Sequence, residues 1–167
     1  MFDLTLVSGA IAAATSAVGL IDKITDQVER FITKKPEPAV PKEHRQTIRK
    51  QGDAIVSQMH GQVYQTITAQ DMEKKLSEAD LRHIQVLEQA MQNHYSVWAS
   101  VYPQLALAVD PIAKAKTEIQ LKGIVSDMRD DLNGILGFLE NSGLYLDDHY
   151  LNIRDVVNRM SASGVGK

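Results

Sequence analysis

Apolar positions recur at three- and four-residue intervals from near the start of the chain: Leu4, Val7, Ile11, Ala14, Val18, Ile21, Val28 and Ile32, with Thr25 filling one place and Ile24 beside it. That spacing lines one face of a helix. The predicted helix covers residues 3–32 and is roughly 44 Å long. Its first part, Leu4 to Ile21, carries no charge and is rich in alanine, glycine, serine and threonine. Such a run approaches the length needed to cross a bilayer, while its small side chains suit close helix packing. Two four-spaced ridges, Ser8, Ala12, Ser16 and Gly9, Ala13, Ala17, let another helix approach closely in water or in lipid.

Pro36, Pro38 and Pro41 interrupt the pattern. Proline removes a backbone donor and restricts its preceding neighbour, so residues 33–43 read as an extended connector or crossover. From Glu43 to Ile67 the next stripe is Ile48, Ile55, Met59, Val63 and Ile67, with Gln51 in one place, and it predicts a second helix. Gly52 then marks a bend or a close crossing within it. Residues 68–76 read as a loop with a short helical turn.

Ser77, Glu78, Ala79 and Asp80 form an N-terminal capping pattern. A third long helix follows, with Leu81, Ile84, Leu87, Met91 and Trp98 on one side and the aromatic group ending just before Pro103. Asp110-Pro111 starts the next helix, carried by Ile112, Ile119, Ile124, Met128, Leu132, Ile135 and Leu139, and Asn141-Ser142-Gly143 stops it. A final helix is expected over Asp147 to Met160, with Tyr150, Ile153, Val157 and Met160 turned inward. The expected fold class is all-α: a four- or five-helix bundle with a long N-terminal amphipathic helix and a proline-rich crossover. A single domain would span residues 1–160, with helices over 44–160 after the connector and a flexible tail over 161–167.

Composition adds bounds. The hydrophobic fraction is 44%, charged residues supply 23% and the net charge is −3, values ordinary for a globular protein and carrying no specific nucleic-acid signal. The lack of cysteine excludes disulfides and thiolate chemistry from this chain. No basic segment precedes the apolar run, so it does not read as a secretory signal. Cytoplasmic residence is expected, with membrane association as the alternative.

Candidate chemistry is sparse. His44, His60, His83, His94 and His149 form no compact metal motif. Packing or a local hydrogen bond is the expected role of His60 and His94, and a cap or surface charge arrangement that of His149. Asp127, Asp130 and Asp131 share one side of a helix and read as a solvated face. No catalytic residue, cofactor site or metal site is nominated. The nominated surface is a helix interface of Val7, Gly9, Ile11, Ala13, Ala17, Val18 and Ile21, with Tyr95, Trp98 and Tyr102 as an aromatic interface. The functional expectation is a noncatalytic helical interaction or assembly protein whose partner is another protein or a second copy. The alternatives are a membrane-associating or pore-forming protein that presents the first helix to lipid, and an enzyme without an identifiable motif.

Overall fold

The structure, a computed structural model, describes residues 4–32 and 45–163. The expected connector 33–43, and the side chains of Val28, Ile32, Val157 and Met160, lie outside the described residues. Five helices and three strands follow in the order α1 (Leu4–Ile32), β1 (Thr47–Gln51), β2 (Ala54–Met59), β3 (Gln62–Thr68), α2 (Ala69–Lys75), α3 (Glu78–Leu107), α4 (Pro111–Asn141) and α5 (Asp148–Ser163). The chain is therefore mostly helical, with a small antiparallel sheet in the order β1-β2-β3.

The sheet corrects the second predicted helix. Residues 47–68 fold as two consecutive hairpins. Gln51 pairs with Ala54 across Gly52-Asp53, and Gly52 takes φ +60°. Met59 pairs with Gln62 across His60-Gly61, whose φ angles of 54° and 77° are both positive. Two-residue hairpin loops of this kind match the right-handed twist of the strands they join. Gly52 is thus a turn residue and not a bend in a helix. The register steps at Ser57/Gln58, so that Gln65 faces Ser57 and Val63 faces Gln58, leaving Tyr64 as the extra residue of a bulge. Ile48, Ile55 and Ile67 are buried, whereas Val63, beyond the bulge, is exposed.

Local chemistry fixes the helix starts. Thr68 and Ser77 each form a reciprocal capping box, with Asp71 and Asp80 respectively. Asp71 is held below the ordinary carboxylate range by the Thr68 backbone amide, and further by its hydroxyl. Met72 and Leu76 anchor the short α2 in the core. Helix α3 runs on through Pro103 to Leu107. Asp110 caps α4, accepting from the Ile112 amide at 3.2 Å, with Pro111 in the first turn.

The far end of α4 closes in a Schellman arrangement. Leu144 N–H donates to the Leu139 carbonyl and Gly143 N–H to that of Glu140, both at 3.0 Å, with Gly143 at φ +99°. Helix α5 continues through Ser163, so residues 161–163 belong to a helix rather than to the expected tail.

Helices α3 and α4 form a long antiparallel hairpin, since Gly134 lies against Leu87 and Asp127 approaches His94. Helix α5 folds back along α4, with Arg154 bonded to Glu140 and Asn133 to Asn158. Helix α1 packs on α3, α4 and the sheet. The core thus lies between α1, the sheet-proximal half of the α3–α4 hairpin and the start of α5, with Ile11, Ile21, Met91, Ile135, Leu139 and Tyr150 among its innermost side chains.

Candidate functional site

The nominated face of α1 lies inside this core. Val7, Ile11, Ala13, Ala17, Val18 and Ile21 are all buried. Gly9 is half-buried, and a side chain added there would meet the Gln85 amide at about 3.2 Å. Gly9 thus lies against the chain's own α3, the helix on which α1 packs most extensively. Along the outer rim of that contact, Ser16 donates to the Glu88 carboxylate at 2.9 Å.

The nominated aromatic residues sit at the middle of α3. Trp98 is 2% exposed and stacks on Tyr102, with ring centroids 4.8 Å apart and planes 8° from parallel. Tyr95 and Tyr102 pack partly buried against the core. Offset aromatic stacking of this kind adds to the burial of each ring. The Trp98 indole N–H has no hydrogen-bond partner among the described residues. Val101 and Leu121 are the last fully buried residues of the two helices before the connection between them.

Beyond that layer, large apolar side chains of the hairpin are exposed among the described residues. Leu107 is 77% exposed, Val109 96%, Ile112 67% and Ile119 71%. Ile112 and Ile119, which the spacing counts among the apolar residues carrying α4, are both exposed. The apolar stripe turns inward only from Leu121 onward, where Ile124, Val125 and Met128 are buried.

Two polar clusters were invisible in the sequence. In the first, His94 Nδ1 lies 2.5 Å from Asp131 Oδ2, and His94 Nε2 lies 3.9 Å from Asp127 Oδ2. Asp131 is buried while Asp127 and Asp130 are exposed, so the triad of aspartates is not one solvated face. Burial pushes the Asp131 carboxyl above its usual range, with His94 opposing that shift and Asp127 and Asp130 adding to it.

The second cluster joins the sheet to α5 around Asp147. Its Oδ2 accepts from the Gln46 amide at 3.0 Å, its own amide donates to Gln46 Oε1 at 3.1 Å, and its Oδ1 accepts from the His149 amide at 3.1 Å. Gln46 Nε2 completes the set by donating to Ser57 Oγ at 2.6 Å and to the Tyr145 carbonyl at 2.7 Å. Asp147 is therefore the cap of α5, and it also welds strand to helix. His149 is buried, not on the surface, and its Nε2 lies 3.5 Å from Asp22 of α1. The Tyr150 hydroxyl beside it is pushed upward by burial and then by Asp22 and Asp147. The Gln46 and Asp147 side chains are thus bonded to other parts of the same chain, which suits a structural junction.

Among the described residues, no group of three or more His, Asp or Glu side chains is arranged to hold a metal ion. His60 lies in the β2–β3 turn and His83 on the exposed side of α3. The geometry thus defines a mostly helical protein with a small sheet, a polar junction and, among the described residues, exposed apolar side chains at the hairpin end. Comparison of the chain with known protein families, with curated proteins and with solved structures finds no match.

Proposed function

We propose that this chain is a noncatalytic helical interaction protein, and that it docks through the distal end of the α3–α4 hairpin rather than through the small-residue face of α1. The observation that carries this reading is the exposure of Leu107, Val109, Ile112 and Ile119 on one protruding element. Single exposed apolar residues are ordinary, but four large ones gathered on a helical end form a surface that gains free energy when covered. The α1 face is already satisfied by α3, so using it between molecules requires opening the core.

A photo-crosslinking side chain at Val109, in the full chain and in its native cell extract, tests the assignment. The expected result is a defined adduct, protein or lipid, that disappears when Leu107 and Ile119 are both changed to Asp while the unfolding transition is retained. Labelling no stronger than at a control position on Gln120 overturns the reading.

A second reading places α1 in a bilayer. Leu4–Lys23 spans 20 residues at a mean hydropathy of 1.9, long and apolar enough to cross a membrane. Against it, Ile11, Val18 and Ile21 are core residues, and their removal strips the apolar cover from α3 and the sheet.

A further inference from the structure

We propose that the distal end of the α3–α4 hairpin is a wedge for an anionic lipid surface. This rests on the docking role assigned above and names its partner. Between Glu88 and Asp110 the chain contains no Asp, Glu, Lys or Arg, so the end of α3 and the connection as far as Val109 enter an apolar medium without burying a formal charge. Leu107 and Val109 are the exposed large apolar residues at the end of that segment, and Ile112 and Ile119 follow on α4.

Charge then appears on α4 in a particular way. Ile112, Lys116, Ile119 and Lys122 follow one another at four- and three-residue steps and share one helix face, and all four are exposed. Lys114, exposed on the opposite side of the same turn, adds a third positive charge. None of the three lysines has a carboxylate within ion-pairing distance among the described residues. The nearby acids are less available: Glu118 is half-buried, and Asp110 is engaged as the cap of its own helix. A long lysine stem lets its ammonium reach the headgroup level while the apolar residues on either side sink below it.

The same charges discriminate among occupants. A second copy docked end to end would bring two sets of unpaired lysines together, which opposes association. A folded protein partner needs a concavity to receive a convex helical end. A fluid bilayer needs no matching shape, and its anionic leaflet attracts each lysine.

The chain has no cysteine, so Val109→Cys gives the full-length protein one attachment point for an environment-sensitive fluorophore, and Leu4→Cys gives a separate one on α1. Each labelled protein is titrated with vesicles of phosphatidylcholine alone and of phosphatidylcholine and phosphatidylserine in equal parts. The expected result is a blue-shifted emission from position 109 on the anionic vesicles only, weakened by salt. Changing Lys114, Lys116 and Lys122 together to Gln lowers partitioning by about 100-fold, with the unfolding midpoint unchanged. The inference is overturned by no shift at position 109, by equal shifts on both vesicle types, or by a shift at position 4 without one at 109, which transfers lipid contact to α1. Should the vesicles fail while the Val109 crosslinker captures a protein, the lipid partner falls and the docking surface stands. If neither responds, both fall.

Discussion

The two halves of the α3–α4 hairpin are built from the same two helices, yet they live in different environments. Near the sheet, Leu81, Ile84 and Met91 of α3 face Leu132, Ile135 and Leu139 of α4 under the cover of α1 and α5. Past Val101 and Leu121 the apolar positions continue, but Leu107, Ile112 and Ile119 are exposed among the described residues. Amphipathic spacing states that a face wants cover, and only the neighbouring elements decide whether the chain supplies it. The proximal half spends its apolar surface on stability, leaving the distal half a surface free for something else.

The strongest way to break this contrast is to delete the same kind of atoms from each environment. Ile11→Ala removes a fully buried side chain from the α1 layer and should lower stability by about 2–5 kcal/mol in urea unfolding. Leu107→Ala removes one that is 77% exposed and should stay within about 0.5 kcal/mol of the parent. Equal losses at both positions would mean that the hairpin end is packed after all, and the docking proposal would lose its basis.

The helices of this hairpin were legible because their signals are local. Ser77 with Asp80, Asp110 with Pro111 and Ser142 with Gly143 mark the ends within a few residues, and each does so in the structure. The sheet was not legible from its stripe. Ile55, Met59, Val63 and Ile67 are spaced by four, an even number, so the series that lines a helix face also satisfies the two-residue repeat of a strand. What separates the two is the chemistry between the apolar positions. Thr47, Val56, Thr66 and Thr68 favour extended backbone, and Gly52-Asp53 and His60-Gly61 supply the turns. The polar clusters had no local mark at all: His94 and Asp131 are 37 residues apart and Gln46 and Asp147 are 101 apart, so each pairing exists only once the hairpin and the sheet are in register.

The two ends of the hairpin also differ in how tightly the backbone is specified. At the sheet end, Gly143 is left-handed, and its carbonyl accepts from Gln65 Nε2 at 2.7 Å. A side chain at Gly143 is also set against the Lys75 ammonium. Gly143→Ala should therefore destabilise by about 1–2 kcal/mol, visible as a lower urea midpoint with an unchanged slope. At the other end, Ala108 takes φ −73°, which any residue adopts, and Ala108→Ser should leave the midpoint where it is. A neutral Gly143→Ala would show that the junction around β3 and the start of α5 yields readily, and the contrast between a fixed end and a permissive one would weaken.

The subtlest contrast is electrostatic and lies between Asp71, on the exposed cap of α2, and Asp131, in the covered half of the hairpin. The Thr68 hydrogen bonds hold Asp71 below its ordinary value of 3.8, so its contribution to stability is present above that pH and is lost as the pH falls through the lower folded value. Asp131 has the opposite sign. Burial raises it above 3.8, so the folded chain holds that proton more tightly than the unfolded one, and stability drains away as the pH climbs from 3.8 through the raised value. Asp131→Asn removes this titration while keeping a polar side chain beside His94. In thermal melts across the acid range, the variant should gain on the parent with rising pH until Asp131 is fully ionised, and the gap should then hold constant. The gain should amount to a few degrees at most, because the His94 ring that faces Asp131 is 34% exposed and solvent screens the site. A gap that does not change with pH would mean that the carboxylate titrates alike in both states, and that the covered half of the hairpin is wetter at this position than its packing implies.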